Sequence, residues 1–364
     1  MKSFAITSPG LEKYAADEIS ELIDVKTKTE DSVVLFDCTE EQLAFVCYRS
    51  QTIIKAFSFL EKINLDEISD LEKLKTDFSK VIPSGKTFRV KVAKQGGVQF
   101  SSQELEPALA DVIFSHCKPT VSLTTPDVIV YLYVYDSSAY VGVDYCGFDV
   151  SKRDYRVFTH PRSVHANIAA CLLRIAGFDG KMNVLDPFCL SGEVGIEASL
   201  YASHKSPHYF SKDKFAFNKL VAFNFDKVDK EIKEPKATIV ISSPAMSDVR
   251  AAQKNAKIAG VEKYMQFTRQ DVEWLDFKFD KNSVDCIVSF IPCPSAATPE
   301  RLLKKMYEDF FFNIKEPLAK GGVVVVCGKN LDYFKKLAVN VKLKKEISFM
   351  NGKDDLFIAV FEKI

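Results

Sequence analysis

No stretch of this chain approaches the roughly 20 consecutive apolar residues of a membrane helix. Its first ten residues also lack the apolar segment of a signal peptide. The nine cysteines are odd in number and form no C-x-x-C pair, which argues against a disulfide framework or a zinc site. We therefore expect a cytoplasmic protein with reduced cysteines, no membrane attachment and no bound metal.

The sequence also lacks an excess of either charge, since 49 Lys and Arg residues balance 49 Asp and Glu residues. This balance is uneven along the chain. Residues 1–150 carry 15 basic and 23 acidic side chains, whereas residues 151–364 carry 34 and 26. The asymmetry suggests different roles for the two halves. Because the N-terminal half has no overall basic field, any RNA contact there must be a local patch.

A hydrophobic content of 47% over 364 residues is typical of a globular protein with two or three domains. In the N-terminal half, alternating and amphipathic patterns predict mixed α/β structure. Thr39 and Ser101 are predicted to cap helices. The predicted strands are 3–7, 32–38, 86–92, 128–135 and 139–143, and the predicted helices include 11–22, 68–78 and 102–115.

In the C-terminal half, helical patterns alternate with short apolar runs, which predicts a parallel sheet with helices on both faces. The last two runs are joined by a short turn and are expected to form an antiparallel edge. The predicted strands are 183–185, 238–241, 283–289, 322–327, 341–347 and 356–361.

The segment Asp186–Gly192 (DPFCLSG) follows one of these strands and precedes a helical pattern at 193–202. At such a strand–turn–helix junction, backbone N–H groups can approach a carboxylate or a ribose. We therefore predict a nucleoside-type ligand site at this turn.

Several motifs, in this order, resemble those of the THUMP-containing RNA guanine-N2 methyltransferases, both the archaeal tRNA guanine-6 type and the bacterial 23S rRNA type. The resemblance covers essentially the whole chain. It rests on Ser8–Glu12, Lys86–Val90, Phe100–Leu105, Thr125–Asp127, Tyr140–Asp144, the K-R-x-Y-R motif at Lys152–Arg156, His160–Pro161 and the loop Asp186–Gly192.

This resemblance implies an α/β fold in which a ferredoxin-like α+β and THUMP region precedes a doubly wound, Rossmann-like class I methyltransferase domain. The implied divisions are a ferredoxin-like domain at 1–50, a THUMP RNA-binding domain at 51–147, a linker at 148–160 and the methyltransferase domain at 161–364. The implied activity is S-adenosylmethionine-dependent methylation of a guanine N2 in tRNA or rRNA.

The resemblance also assigns site residues. Those implied for the cofactor are Asp186, Phe188, Cys189, Leu190, Ser191, Gly192, Ser243, Asp271 and Val272. The chain departs from the family pattern at three of its motifs. Leu190 replaces a glycine, Ser243 replaces the acid that holds the ribose, and Phe290, Ile291, Pro292 and Cys293 replace the catalytic N-P-P-Y.

Basic residues of the two motif regions are predicted to contact RNA phosphates. An equally simple interpretation is that Lys86, Arg89, Lys91 and Lys94 form a solvated strand face. The predicted contacts are Lys86, Arg89, Lys91, Lys94, Lys152, Arg153 and Arg156.

Two other functions stay open at this point. The first is a catalytically inactive RNA-binding relative, a subunit or RNA chaperone that supports a protein partner. The second is an RNA cytosine-C5 methyltransferase that uses Cys293 and Cys327. That reaction requires a thiolate nucleophile. The sequence further predicts that Trp274 fills core and that the aromatic run at 310–312 packs on the sheet.

Overall fold

The computed structural model describes residues 1–295, 298–352 and 354–364. The chain forms two compact units that exchange short segments. The N-terminal unit contains Met1–Thr7, Ala16–Val150 and Phe210–Asn224. The C-terminal unit contains Ser8–Ala15, Ser151–Tyr209 and Phe225–Ile364. Each unit therefore includes a short segment whose neighbours in sequence belong to the other unit.

The N-terminal unit is built mainly from one mixed sheet with helices against it. Its elements, including a helix α1 that begins in the exchanged segment, are β1 Lys2–Ile6, α1 Glu12–Ile23, β2 Thr27–Glu30, β3 Val33–Asp37, α2 Glu40–Arg49, β4 Lys55–Asn64, a 3-10 helix Ile68–Lys73, α3 Phe78–Val81, β5 Thr87–Gln95, α4 Ser102–His116, β6 Thr120–Val121, β7 Val128–Tyr135 and β8 Ser138–Asp144.

The strand order of this sheet is β2-β3-β1-β4-β8-β7-β5-β6. β1 pairs antiparallel with β4, so the predicted boundary at residue 50 lies within one continuous sheet. The predicted hairpin of β7 and β8 is confirmed, as are the capping boxes at Thr39 and Ser101. The strands β2 and β4 were not predicted.

The predicted continuous helix at 68–78 is wrong. The chain forms a 3-10 helix and then restarts as a single helical turn. The restart has a local cause, because the Asp77 carboxylate accepts the Ser79 backbone N–H and caps a new helix. Leu74, after the first segment, has extended backbone angles.

The C-terminal unit alternates strands and helices. Its elements are α5 Ala166–Ile175, β9 Val184–Asp186, α6 Glu193–Ala202, α7 Phe225–Asp229, β10 Ile239–Ser243, α8 Met246–Ala259, β11 Met265–Arg269, a 3-10 helix Val272–Trp274, α9 Leu275–Lys278, β12 Val284–Phe290, α10 Glu300–Asn313, β13 Leu318–Gly328, α11 Asp332–Lys336, β14 Val341–Asn351 and β15 Asp354–Lys363.

The strand order β11-β10-β9-β12-β13-β15-β14 confirms the doubly wound prediction. β9 to β13 are parallel, and β15 pairs antiparallel with both β13 and β14. Apolar clusters lie on both faces of the sheet. β11 was not predicted, because its polar and exposed positions interrupt any apolar run. The carboxyl ends of the parallel strands share one edge, where ligands bind in such sheets.

The exchanged segment Ser8–Ala15 completes the core of the C-terminal unit. Leu11 and Tyr14 belong to the buried cluster on one face of its sheet. The Pro9 carbonyl accepts the Met350 backbone N–H at 3.0 Å. Gly10 has φ of +93°, and a Cβ there would lie 2.7 Å from the Ser348 carbonyl oxygen. The S-P-G turn is therefore a packing element of this unit.

Within the described part of the chain, every helix is too short or too polar to cross a bilayer.

Candidate functional site

The turn that follows β9 is anchored by a buried carboxyl group. Asp186 is 2% exposed and accepts hydrogen bonds from the Ser289 hydroxyl at 2.5 Å and the Phe188 backbone N–H at 3.2 Å. Burial raises the pKa of Asp186 to about 7. Asp186 thus ties β9 to β12 from inside the protein.

Leu190 occupies a left-handed conformation, with φ of +44°. A leucine in this region costs about 1–2 kcal/mol relative to a right-handed conformation, and glycine avoids that cost. Gly192 retains the family's glycine, has φ of +87°, and leaves 2.7 Å between a hypothetical Cβ and the Ala252 Cβ. Leu190 therefore adopts a backbone conformation that a glycine would adopt without this cost.

A cleft of about 520 Å³ opens at the carboxyl edge of the sheet. It brings together six of the residues predicted from the sequence. These are Phe188, Leu190, Ser243, Asp271, Val272 and Pro292.

Three other predicted cofactor residues are buried beneath the loop. Cys189 is 2% exposed and its backbone N–H donates to the Ser242 carbonyl. Ser191 is fully buried, and its hydroxyl accepts the His160 N–H. The side chains of Asp186, Cys189 and Ser191 are therefore buried in the protein, whereas Phe188 and Leu190 of the same loop line the cleft.

One wall of the cleft carries two carboxylates. Asp271 follows β11, is exposed, and makes no capping hydrogen bond to the short helix that it precedes. Asp248 lies in the first turn of α8, and its Oδ2 accepts the Ser243 hydroxyl at 2.9 Å. Among the described residues, no Lys or Arg pairs with Asp248 or Asp271. We call Ser243, Asp248 and Asp271 the cofactor wall.

The sequence analysis did not single out Asp248, because alignment with the family motifs places the ribose-binding position at Ser243. The available signal was an acid in the first helical turn after β10. Such a position favours a carboxylate and points it toward the carboxyl edge of the sheet. A carboxylate is therefore present next to the position where the family acid is missing.

The residues that replace the catalytic motif, Phe290–Cys293, reach the cleft through Pro292, and we call this tetrapeptide the acceptor wall. Phe290 is half-buried against the core, and Ile291 is 1% exposed. The Ile291 carbonyl accepts the Cys293 thiol at 3.6 Å, while the Pro292 carbonyl accepts the Tyr307 hydroxyl. This tetrapeptide has no side-chain amide, so its oxygen acceptors are all backbone carbonyls.

The two cysteines of the cytosine-C5 hypothesis are poor nucleophiles. Cys327 is fully buried, and burial raises its pKa well above the usual range. Burial also raises the pKa of Cys293. Because only the thiolate attacks, the geometry does not support this reaction.

The K-R-x-Y-R motif is a structural clamp on α6. The Arg153 guanidinium is completely buried and pairs with Glu197 at 3.1 Å, while the Tyr155 hydroxyl donates to the same carboxylate. Arg156 pairs with Glu193, at the start of the same helix, at 3.0 Å. The prediction that Arg153 contacts RNA is therefore wrong, since its charge faces the protein interior.

The segment 148–160, predicted to be a linker, is partly buried against the protein. Tyr155 is 3% exposed, and Phe158 exchanges backbone hydrogen bonds with the Asn255 side-chain amide. Lys152, in contrast, is exposed.

The predicted RNA contacts in β5 and at Lys86, directly before it, lie in the N-terminal unit and differ in solvent accessibility. Lys86 is half-exposed, 3.5 Å from Asp127, and Lys94 is exposed with its amine on the Phe100 carbonyl. Arg89 donates to the Leu123 carbonyl. Lys91 donates to the Gly147 carbonyl, and burial lowers its pKa. Lys86 lines a cleft of about 510 Å³ together with Lys2, Lys80 and Lys219.

The aromatic predictions are partly wrong. Trp274 is 53% exposed rather than buried, because it sits on a short helix at the rim of the cleft. Phe310 and Phe311 are buried on the sheet as predicted, but Phe312 is 69% exposed. All nine cysteines are free thiols. The described residues contain no group of three or more potential metal ligands.

Comparison with known proteins identifies both units. A model of the family UPF0020, the RMKL-like methyltransferase domain, matches residues 153–358. A THUMP domain model matches residues 64–144.

Curated relatives extend this likeness along the chain. The chain is 28% identical to tRNA (guanine(6)-N2)-methyltransferase of Methanocaldococcus jannaschii, and the alignment covers 97% of both. It is 25% identical to the Archaeoglobus fulgidus protein of the same name, over 77% of this chain and 72% of the relative. Ribosomal RNA large subunit methyltransferase K/L of Vibrio parahaemolyticus is 25% identical over 74% of this chain and only 40% of its own length.

Solved structures show the same fold. TrmN from Thermus thermophilus has a TM-score of 0.72 at 21% identity, covering 100% of this chain and 99% of its own. A putative methyltransferase solved in complex with SAH has a TM-score of 0.81 at 18% identity, covering 100% and 98%. Because the RMKL-like model spans more than half of the chain and follows a THUMP domain, the chain belongs to the THUMP-containing RMKL-like methyltransferase family, as its motifs predicted.

Proposed function

We propose that this chain binds S-adenosylmethionine in the cleft of its C-terminal unit and methylates the N2 amine of a guanine in tRNA. The cofactor wall carries this proposal: two carboxylates without cationic partners line a cleft beside a strand–loop–helix turn. A volume of about 520 Å³ lies within the range of small-molecule sites. The choice of tRNA rests on the relatives named for that substrate.

The residues of the cofactor wall fit the donors of an adenosine moiety. Carboxylates accept hydroxyl and amine hydrogens in charge-assisted bonds, which are stronger than bonds between neutral groups. We assign the ribose hydroxyls to Asp248, supported by Ser243, and the adenine amine to Asp271. When bound, the cofactor supplies an electrophilic methyl group.

The remaining work of the protein is to position the guanine amine. We assign the amine hydrogen to the Ile291 or Pro292 carbonyl, because Pro292 lines the cleft and each carbonyl keeps a second lone pair beyond its bond to Cys293 or Tyr307. Exposed lysines of the N-terminal unit, led by Lys86 and Lys94, would contact RNA phosphates.

The direct test is transfer of a radiolabelled methyl group from S-adenosylmethionine to total tRNA, followed by nucleoside mass spectrometry. We expect N2-methylguanosine from the wild-type chain. An Asp271→Asn variant should lose at least about ten-fold in activity, because it loses one charged hydrogen bond. Incorporation into another nucleoside, or none with the cofactor bound, would contradict guanine methylation.

The acceptor wall favours a second candidate function, that of a non-catalytic RNA-binding subunit. Two features favour this second function: Phe290–Cys293 contains no side-chain amide, and Phe290 packs against the core. On this alternative the chain binds tRNA and the cofactor without transfer, and restores or enhances the activity of a partner. The same assay separates the two: cofactor binding and tRNA binding without methylated product support the subunit.

A further inference from the structure

The segment 156–163, here called the strap, is held rigidly across the cofactor loop. The Arg156 guanidinium bonds both Glu193 at 3.0 Å and the Ser163 hydroxyl at 3.1 Å. The His160 N–H donates to the Ser191 hydroxyl at 2.9 Å. These bonds tie Arg156 to the start of α6 and His160 to the cofactor loop, and they join the two ends of the strap to each other.

A buried amide fixes the strap from the other side. Asn255, on α8, is fully buried. Its Oδ1 accepts the Phe158 N–H, and its Nδ2 donates to the carbonyls of Phe158 and Ser191, each at 3.0 Å. One side chain therefore joins the strap, the cofactor loop and α8.

Despite this anchoring, the strap presents apolar side chains to solvent. Val157 is 60% exposed and Phe158 is 40% exposed. The Lys254 ammonium lies 4.6 Å from the centroid of the Phe158 ring. A cation at that distance is attracted to the ring face, and the ring keeps accessible surface for another planar group.

The surroundings of Phe158 are basic. Arg250, Lys254 and Lys257 are exposed and lie at i, i+4 and i+7 on α8, which places them on one face of the helix. The acid of this helix, Asp248, lies in its first turn, within the cleft. At the other end of the strap, exposed Arg162 also lines the cleft.

We propose that the strap is the RNA-guiding surface of the C-terminal unit. A base next to the target stacks on Phe158, while Lys254 and its basic neighbours contact the flanking phosphates. Exposed aromatic rings beside a row of cations are how single-stranded nucleic acid is held without sequence preference. Arg162 continues this positive surface into the cleft. The inference rests on the proposed RNA substrate and adds the residues that deliver it.

The test measures binding of a fluorescent tRNA transcript to the full chain by anisotropy at several salt concentrations. Phe158→Ala should weaken binding by about five-fold or more, since losing one stacked base costs about 1 kcal/mol or more. Phe158→Tyr should retain binding because its ring also stacks. Lys254→Ala should reduce the slope of log affinity against log salt by about one.

The matched control is Phe277→Ala, which removes an 81% exposed ring on a different helix, α9, where it contacts Trp274. This variant should bind tRNA within two-fold of the wild type, and cofactor affinity by calorimetry should be unchanged in Phe158→Ala. If the Phe158→Ala and Lys254→Ala variants both bind tRNA with the affinity of the wild type, the strap proposal is overturned. Failure of the wild type to bind tRNA overturns the proposed function itself.

Discussion

The two walls of the cleft have diverged from the family pattern in different ways. On the cofactor wall, Ser243 replaces an acid, but Asp248 brings a carboxylate to its side at 2.9 Å. On the acceptor wall, Phe290 stands at the position of the amide and packs against the core. The cofactor wall thus keeps a carboxylate beside the changed position, whereas Phe290–Cys293 keeps only backbone carbonyls as oxygen acceptors.

α6 begins directly after the cofactor loop, and breaking the clamp on that helix should produce the largest effect. Arg153→Met leaves the buried Glu197 carboxylate without its cation. We expect a loss of about 3–5 kcal/mol in the free energy of unfolding, measured by urea denaturation. The double variant Arg153→Met/Glu197→Gln should recover much of this loss.

The exposed neighbour Lys152 provides the control for the clamp. Lys152→Met should change the free energy of unfolding by no more than about 0.5 kcal/mol. Equal effects of the Lys152 and Arg153 variants would contradict the interior role of the motif.

Asp186 ties β9 to β12, and its titration should make the stability of the protein depend on pH. Its folded pKa of about 7 lies above the ordinary value of 3.8, so the folded state holds this proton longer than the unfolded state. Between about pH 4 and pH 7 this contribution destabilises the protein progressively, by up to about 4 kcal/mol. Below and above that window the contribution is constant.

The measurement is the free energy of unfolding of the wild type minus that of Asp186→Asn, followed across this range. The difference should fall as the pH rises. A control of opposite sign is Asp332, whose pKa the Lys335 amine holds below its usual value, so its contribution is constant across this range and is lost only as the pH falls below about 4. A difference that is flat or rises with pH would show that Asp186 is ionised in the folded protein.

A smaller effect is expected at Leu190, within the loop. Leu190→Gly removes the cost of a left-handed leucine but also removes a side chain that is only 8% exposed and adds backbone entropy to the unfolded state. These effects oppose one another, so the free energy of unfolding should change by about 1 kcal/mol or less. Cofactor affinity should rise several-fold because the backbone can approach the ligand more closely. Weaker binding would show that the leucine side chain itself contacts the cofactor.

Much of the architecture was predictable from the sequence. Apolar runs located most of the parallel strands, and S/T-x-x-E/Q patterns located the helices that begin after Thr39 and Ser101. The missed strand β4 begins with a buried and largely apolar run, whereas β2 and β11 have too many polar or exposed residues to show a pattern. Their place is set by pairing with a neighbouring strand, which local sequence does not reveal.

The site was less predictable because its chemistry depends on side chains distant in sequence. Arg153 is basic in a basic motif, and its partner Glu197 lies 44 residues further along. The sequence therefore suggested a phosphate contact where the fold forms an ion pair. Asp248 is similar, since only the geometry of the turn after β10 places its carboxylate on the Ser243 hydroxyl. Trp274 is exposed for a comparable reason, because its short helix lies at the rim.

The central claim is that Asp248 replaces the missing acid, so that the cofactor wall still binds its ligand. Isothermal titration of the full chain with S-adenosylmethionine tests it directly, with Asp332→Asn as the control for an acid in the first turn of another helix. We predict saturable binding by the wild type, at least about ten-fold weaker binding by Asp248→Asn, and recovery in Ser243→Asp/Asp248→Asn. No heat of binding at millimolar cofactor, or equal affinities of the wild type and Asp248→Asn, would contradict the claim.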